Sequence, residues 1–319
     1  MLSRVADHMY WLSRYLERAE HTARMLEISL LLSADRTPES AARQGVRIMT
    51  ALQSPDAQRT GLMEFSLLAV ELAAGRREDS ILKCVAAARE NARQVREQIS
   101  VDMWEELNRL YLRLLTAPDD PSWKEQPEEL FKEVRHSVYL FKGMTSSTML
   151  RGEAWQYMEL GRFLERSLNT SMLIDTHLRE FGRDLDAPVD PADFVEWLSL
   201  LRCCASFEAY TRSHTAAIRP LHVLQFLILN SEFPRSLRFA ADRIEESHRS
   251  LARLAGRTTP ERIERLAGRL RSSLQYAQMD EVLGGGLPQM LESLRRQCRQ
   301  IHHGTYQSYI SYQVEERTA

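Results

Sequence analysis

Apolar residues recur every three to four positions along nearly the whole chain, a spacing typical of α-helices that bury one face. The pattern breaks where proline, glycine and other turn-forming residues cluster, as at Ser54-Pro55-Asp56 and Gly284-Gly285-Gly286. We therefore predict an all-α fold, an elongated multi-helix bundle. Its helices are expected at residues 2–33, 41–53, 61–75, 78–116, 126–148, 151–182, 191–214, 220–230, 234–256, 260–283 and 287–315.

Residues 12–26 and 160–174 form an internal repeat with an offset of 148 residues. Both copies contain arginine, an aromatic residue, leucine, glutamate and arginine in succession. This repeat predicts two related helical halves, at about 1–148 and 149–319. Identical residues stand at Leu12 and Leu160, Arg14 and Arg162, Leu16 and Leu164, Glu17 and Glu165, Arg18 and Arg166, and Thr22 and Thr170.

Glycine and proline are scarce, at 13 and 11 of 319 residues, against an average usage of about 7% and 5%. Few turn residues suit long helices joined by few connections, and they argue against a fold of many strands. The length alone would allow about two domains. Because no long or low-complexity linker divides the chain, a single domain over residues 1–319 is the simpler prediction.

The first copy of the repeat carries a charged band opposite its apolar stripe. Tyr10 and Ile28 lie on the charged side at the two ends, so we expect this helix to have neighbours on both faces. The spacing allows pairs along the helix between Arg14 and Glu17 and between Glu20 and Arg24. The second copy has the same design at Arg162, Glu165 and Arg166.

Three interpretations of the charged bands stay open: a solvated face with pairs along the helix, an internal polar network that joins the halves, or a ligand pocket. Only four of the 42 basic residues are lysines. A GC-rich genome explains this bias, and bidentate pairing of arginine with carboxylates or phosphates is the alternative.

Two further places carry candidate binding residues. Asn91 lies in the middle of a predicted helix with Arg93 nearby, which suggests a polar network or an anion site, or a charged face with an incidental asparagine. Arg235 and Ser236 stand in the first turn of another helix, where free backbone N–H groups favour an anion. Simple capping of that helix is the alternative for Ser236.

Metal and cysteine chemistry are not favoured. Di-metal bundles use two Glu-x-x-His pairs, and the two pairs present lie outside the repeated segments, so we predict no metal. The adjacent cysteines are expected in the core, and the adjacent histidines near the C-terminus on the surface. These residues are Glu133 with His136, Glu245 with His248, Cys203 with Cys204, and His302 with His303.

The formal net charge of −2 creates no overall field that would attract nucleic acid or an anionic membrane. The mean hydropathy is −0.38, and the longest nearly apolar stretch, 221–229, is far shorter than the ~20 residues of a membrane helix. Arg4 and Asp7 interrupt what would be the apolar part of a secretory signal, and the cysteines show no CxxC spacing. We therefore predict a cytoplasmic protein with no membrane span and no nucleic-acid partner.

Four segments, at 10–20, 95–105, 160–166 and 233–239, together resemble the bacterial alpha-E domain family (DUF403). The resemblance covers essentially the whole chain and implies an all-helical protein. It also implies association with a circularly permuted ATP-grasp ligase and with a transglutaminase-like peptidase, in making or modifying a peptide-like amide. His21 and Leu168 depart from the family pattern, which has asparagine and an acidic residue there.

The resemblance implies a partner of an ATP-grasp amidoligase system that binds an anionic substrate or the ligase, with ATP bound by the ligase. The arginines would hold a carboxylate or phosphate, and Glu17 and Glu165 would orient the guanidinium groups or bind an amine. A catalytic role for these glutamates as general bases needs a raised pKa, which neighbouring arginines oppose. The predicted binding residues are Arg14, Arg18, Glu20, Asn91, Arg93, Arg162, Arg166, Arg235 and Ser236.

The alternative is a noncatalytic helical scaffold whose charged bands are structural ion-pair networks. Replacing Glu17 with glutamine is expected to separate the two functions. A binding site predicts lost binding at a nearly unchanged melting temperature, whereas a scaffold predicts lost stability without a specific loss of function.

Overall fold

The computed structural model describes residues 2–31, 38–55, 57–60, 63–75, 77–117, 123, 126–182, 184–185, 189–214, 218–256, 262–284 and 286–310. Within these ranges the chain forms fifteen α-helices and no strand, which confirms the predicted all-α fold. They are α1 (Ser3–Leu31), α2 (Pro38–Ala51), α3 (Ala57–Thr60), α4 (Phe65–Ala74), α5 (Ile81–Gln94), α6 (Val101–Thr116), α7 (Pro127–Thr148), α8 (Glu153–Phe181), α9 (Pro191–Cys203), α10 (Phe207–Ser213), α11 (Pro220–Leu229), α12 (Leu237–Leu254), α13 (Arg262–Gln275), α14 (Met279–Gly284) and α15 (Leu287–Thr305).

Several predicted helices are divided in the structure. The helix expected at 78–116 is two helices, because a 3₁₀ turn at Arg96–Gln98 interrupts it and the Ser100 hydroxyl caps α6 by accepting the Met103 N–H at 3.3 Å. The turn lets α5 and α6 pack side by side. The helix expected at 191–214 breaks where Ala205 adopts a φ of 50°, a left-handed conformation outside the helical region.

The helices expected at 61–75 and 260–283 are also shorter or divided in the structure. Two of the predicted breaks are centred on Asp56 and Gly285, which lie outside the described residues. The same holds for parts of the predicted helices, at 32–33, 61–62, 260–261 and 311–315. Beyond α15, residues Tyr306–Ile310 form one π-helical turn.

Helix α1 lies at the centre of the bundle. It packs on α8, α5 and α7, and α8 in turn packs on α12 and α15. Every side chain from Ala19 to Ser29 is buried, charged residues included, so the expectation of neighbours on both faces of this helix is confirmed. Among the described residues, no helix combines the length and apolarity that a membrane crossing requires.

The two copies of the repeat, in α1 and α8, pack directly against each other where small residues meet. The Ser13 hydroxyl donates to the Met158 carbonyl at 2.7 Å. Gly161, the residue equivalent to Ser13, lies so close to α1 that a Cβ would stand 2.3 Å from the Tyr10 carbonyl oxygen. Glycine is therefore required here for close backbone approach. The division into related halves at 1–148 and 149–319 stays a prediction.

We expect Gly161→Ala to lower the free energy of unfolding by about 2 kcal/mol, because the added methyl group must push α1 and α8 apart. Gly143→Ala, in the exposed part of α7, is the matched control. A Cβ there meets no atom within 4 Å, so the better helix propensity of alanine should raise stability by about 0.5–1 kcal/mol. Urea unfolding of both variants measures the difference, and equal stabilisation would show that the helices are not in close contact at Gly161.

Candidate functional site

Most charged side chains of the repeated segments in α1 and α8 are buried where these helices meet α7 and the turn before α12, although Arg18 is 31% exposed. The side chains of Glu17, Glu20 and Glu165 are at most 3% exposed. The interpretation of this band as a solvated face is therefore wrong. We call the charged cluster the nine residues Arg14, Glu17, Arg18, Glu20, Arg24, Lys142, Glu165, Arg166 and Arg235.

The Glu-Arg dipeptides of the two repeat copies exchange partners. Arg18 of α1 donates through Nε to Oε1 of Glu165 in α8 at 2.7 Å. Arg166 of α8 donates to Glu17 of α1, with distances of 2.6 Å from Nε and 3.0 Å from Nη2. The charged side chains of equivalent positions thus join α1 to α8 reciprocally.

The remaining contacts of the two carboxylates differ. Glu165 also accepts from Nε of Arg14 at 2.7 Å, whereas Arg162, equivalent to Arg14, pairs with Glu159 on its own helix at 2.6 Å. The expected pair between Arg14 and Glu17 is therefore wrong. Arg14 reaches across to α8 because the close crossing of the helices brings Glu165 within range.

Glu17 does not pair with Arg162, as symmetry with the Arg14–Glu165 pair would require. It contacts cations from outside the repeat instead. The Lys142 ammonium, from α7, lies 2.5 Å from Glu17 Oε2, and a guanidinium nitrogen of Arg235 lies 3.9 Å from Oε1. Arg166 also donates to the Pro234 carbonyl at 2.8 Å. These contacts bind α7 and the turn before α12 to the pair of central helices.

Glu20 completes the cluster. It accepts from Nε of Arg24 at 3.0 Å and from Nη2 of Arg235 at 2.9 Å, so the expected pair of Glu20 with Arg24 is confirmed. The Tyr139 hydroxyl accepts hydrogen bonds from both arginines. Leu168 stands at the position equivalent to Glu20, so this part of the cluster has no counterpart in α8.

The cluster has more cations than carboxylates. Six cationic side chains surround three glutamates, which leaves an excess of three positive charges. Burial alone would raise the pKa of Glu17, but the surrounding Arg166, Lys142 and Arg235 hold that pKa well below its usual range. Burial lowers the pKa of Lys142 to about 8, against the opposing effect of Glu17 and Glu20. The glutamates therefore stay ionised and are poor general bases at neutral pH.

A buried histidine lies beside the cluster. His21 is 5% exposed, and burial lowers its pKa to about 4 although Glu20 opposes the shift, so its ring is neutral at pH 7. Among the described residues, its Nε2 has no hydrogen-bond partner, and neither has Nδ2 of Asn169, the equivalent residue in α8. Such buried unpaired groups are uncommon and indicate a place for water or a ligand.

Sequence reasoning missed Lys142 and Tyr139, which α7 contributes to the cluster. They are three positions apart on one helix face. The scarcity of lysine, with only four in the chain, was the available signal for Lys142. No signal marked Tyr139, because a tyrosine on a helix is most often a packing residue.

Four of the predicted binding residues lie outside the cluster: Asn91, Arg93, Ser236 and Arg162, which pairs with Glu159 on its own helix. Asn91 donates to the Ala87 carbonyl at 2.8 Å, and its Oδ1 is 2.9 Å from the His8 ring. Arg93 is exposed and pairs with Glu90 on the surface. The Ser236 hydroxyl caps α12 by accepting the Phe239 N–H at 3.0 Å, which confirms the capping alternative.

His302 is half-buried by ring contacts, which differs from the predicted surface position. It stacks on Tyr10, whose hydroxyl lies 2.7 Å from Nδ1 of His302, and Arg14 donates to the same nitrogen at 3.3 Å. This face of α15 turns inward because Tyr306, one turn later, also packs on Tyr10. His303 is exposed as expected.

The expected core position of Cys203 and Cys204 is confirmed, since both are buried. In the first Glu-x-x-His pair, Glu133 pairs with Arg113 at 3.1 Å and His136 is exposed. In the second, Glu245 pairs with Arg249, and His248 is fully buried beside Thr305. No group of three or more potential metal ligands occurs among the described residues.

Comparison with known proteins places this arrangement in a family. A family model described as a predicted alpha-helical domain with a conserved ER motif matches residues 1–310. The repeat carries that dipeptide twice, as Glu17-Arg18 and Glu165-Arg166. No solved structure matches the chain.

Three mycobacterial proteins are similar over 312 residues, which cover 91% of this chain and 34% of each relative. They are the uncharacterized protein Mb2597 of Mycobacterium bovis and the uncharacterized protein MT2643 of Mycobacterium tuberculosis CDC 1551, both 23% identical, and the uncharacterized protein Rv2567 of Mycobacterium tuberculosis H37Rv, 22% identical. The chain thus spans about a third of the length of these relatives. With a family match over nearly its whole length, and with both Glu-Arg dipeptides at the centre of its fold, the chain belongs to the Alpha-E family.

Proposed function

We propose that this chain is the helical partner of an ATP-grasp amidoligase system, and that its charged cluster binds an anionic group of the peptide-like substrate or of the ligase. The excess of three positive charges in the cluster is the observation that carries the proposal. Uncompensated buried charge is costly. A carboxylate or phosphate that enters the cluster would lower this cost.

The accessible edge of the cluster favours such binding. Side chains of Lys142 and Arg235 are 16% and 12% exposed, and Tyr139 beside them is 38% exposed. An ammonium and a guanidinium donate strong charge-assisted hydrogen bonds to an anion. In this role Glu17 and Glu20 orient the cations, because both stay ionised.

The ligase partnership is what the resemblance of four sequence segments implies, and the family match over residues 1–310 supports that resemblance. The relatives are about three times as long as the matched region, which supports a domain that works beside others. ATP would be bound and hydrolysed by the ligase, and a transglutaminase-like peptidase is a further candidate partner.

A test of binding uses two probes, inorganic phosphate and the dipeptide Ala-Ala with its free carboxylate. We expect saturable binding by calorimetry, and about tenfold weaker binding by Lys142→Met, because a charge-assisted hydrogen bond is lost. Lys132→Met is the matched control, since Lys132 lies on the same helix and pairs with Glu129 at the surface. Absence of binding in the parent, or equal weakening in both variants, would contradict the proposal.

The ligase partnership is tested by co-purification with a neighbouring ATP-grasp protein and by ATP consumption with and without this chain. We expect faster consumption with the chain present. If the ligase turns over its substrate equally well alone, the partnership is wrong.

The reciprocal pairing of Glu17 with Arg166 and of Glu165 with Arg18 favours a second candidate function, a noncatalytic scaffold. In that case the cluster serves only to join helices. Lys142→Met separates the two functions, because Glu17 keeps its two hydrogen bonds from Arg166 in that variant. A scaffold would support the ligase as well with methionine at position 142 as with lysine, whereas a binding site would not.

A further inference from the structure

A small pocket lies between α1, α2, α8 and α9, away from the charged cluster. Its volume is about 50 Å³. Among the residues that line it are the apolar side chains of Ile48, Leu173 and Leu200, and Arg47 and Glu196 pair beside it at 3.0 Å. Besides this ion pair, the polar residues that line the pocket are Ser29, Gln44, Thr176, His177 and Ser199.

Within the part of the chain that the structure describes, three polar atoms of the pocket-lining residues have no hydrogen-bond partner: Oε1 of Gln44, Oγ1 of Thr176 and Nε2 of His177. The three residues are only 3%, 6% and 7% exposed. A buried polar atom without a partner costs free energy. Native proteins seldom leave one unpaired, and three such atoms around one pocket indicate that a polar guest satisfies them.

These groups are held in place by their surroundings. The amide nitrogen of Gln44 donates to the Ser29 carbonyl at 3.3 Å, which leaves Oε1 as the free end. The His177 ring packs against Trp197 and Phe181, with ring centroids 4.5 Å and 4.9 Å away. Preorganised groups lose little entropy when a guest binds.

The charges of the pocket favour a neutral guest. Burial, with a smaller contribution from Arg47, lowers the pKa of His177 to about 3, so its imidazole is uncharged at neutral pH. Arg47 pairs with Glu196 and also with Glu180. Among the described lining residues an anionic guest therefore finds no cation that is not already paired, and a cationic guest would have to compete with Arg47. Both are costly in a buried site.

We propose that this pocket binds a carboxamide group, carried by a small molecule or by a peptide side chain. The amide NH₂ would donate to Oε1 of Gln44, which can only accept, and the amide oxygen would accept from the Thr176 hydroxyl. His177 Nε2 would pair with the second amide hydrogen or, as N–H, with the amide oxygen. A volume of about 50 Å³ accommodates about four non-hydrogen atoms, at roughly 10–15 Å³ for each water-sized group.

The test uses acetamide as the probe and the ring signals of His177 in ¹H–¹³C NMR spectra as the readout. Loss of a signal in His177→Gln assigns the resonance. We expect saturable shifts at millimolar acetamide. Acetate, which has the same size but carries a charge, should bind at least tenfold more weakly.

Thr176→Val removes the hydroxyl with little change of shape, and it deletes an unpaired group, so the free protein should fold at least as stably. Acetamide should bind about threefold to tenfold more weakly to this variant. Thr22→Val is the matched control, because Thr22 is 1% exposed with an equally unpaired hydroxyl but does not line the pocket. Its affinity for acetamide should equal that of the parent.

The proposal is wrong if acetamide causes no saturable shift, if acetate binds equally well, or if both valine variants weaken binding equally. Any of these results would mean that the pocket holds only water. The tests of the charged cluster use different residues and different probes. A negative result for acetamide binding therefore does not contradict the proposed function, and a negative result for the cluster does not contradict the pocket proposal.

Discussion

Replacing Glu17 with glutamine should lower the free energy of unfolding by about 3–5 kcal/mol, the range seen when one partner of a buried ion pair is removed. Glutamine keeps the shape of the side chain but removes the negative charge that faces Arg166, Lys142 and Arg235. Arg166 and Lys142 then lose their paired carboxylate at a position that is 2% exposed, and Arg235 keeps only Glu20. Urea unfolding at pH 7 measures the loss.

Glu90→Gln is the matched control. Glu90 pairs with Arg93, but both side chains are more than half exposed, so the loss should stay below about 1 kcal/mol. Adding Lys142→Met to Glu17→Gln should recover part of the stability, because it removes one of the unpaired cations. A loss below about 1 kcal/mol for Glu17→Gln would show that the cluster is hydrated and loosely paired.

The sequence alone suggested that Glu17→Gln would leave the melting temperature nearly unchanged if Glu17 served a binding site. Burial of the carboxylate among cations reverses that expectation. Under either function the variant loses stability, so the substitution at Lys142 becomes the better test of binding.

Stability should also fall steeply in mild acid, by about 5 kcal/mol between pH 7 and pH 5. Burial lowers the pKa of His21 to about 4 and the pKa of His177 and of His248 to about 3. In the unfolded chain these rings titrate near pH 6.5. Between the two values the unfolded chain binds more protons than the native protein, so each histidine costs about 1.4 kcal/mol for each pH unit below 6.5.

The buried carboxylates continue this loss at lower pH. The pKa values of Glu17 and Glu165 are depressed by the arginines around them, against the effect of burial. Their stabilisation is complete above the unfolded pKa of about 4.3 and decreases as pH falls toward the folded values. Above pH 7 neither these glutamates nor the three buried histidines make the free energy of unfolding depend on pH.

Urea unfolding at pH 5, 6 and 7 measures the proton uptake directly. His248→Leu should reduce the pH dependence by about a third, whereas His303→Gln, at an exposed position, should leave it unchanged. Equal free energies of unfolding at pH 7 and pH 5 would mean that the buried rings already exchange with solvent in the native protein.

Much of the fold could be predicted because the apolar period of a helix is local. The expected helices at 126–148 and 151–182 differ from α7 and α8 by at most two residues at either end. The breaks at Ser100 and Ala205 could not be predicted in this way, since apolar periodicity continues through both. They depend on a cap and on a left-handed residue, which serve the packing of neighbouring helices.

The candidate site was predictable only in part. Apolar residues at Tyr10 and Ile28 indicated that the charged band has neighbours on both faces, and the structure confirms this. Which charged side chains pair depends on how closely α1 and α8 approach each other at Gly161. The local sequence pattern does not predict that distance. For this reason the sequence predicts the wrong glutamate as the partner of Arg14. The position of His302 depends on a different tertiary contact, the packing of α15 on Tyr10.

The exchange of partners between the repeated dipeptides follows the rule of a two-fold symmetric dimer, in which residue i contacts j and j contacts i. A single chain that contains such a contact cannot alter one copy without leaving an uncompensated ion on the other. Divergence is therefore restricted at Glu17, Arg18, Glu165 and Arg166. About one turn farther along, Glu20 of the first copy corresponds to Leu168 of the second. No reciprocal pair exists at that position, so the two copies could diverge there.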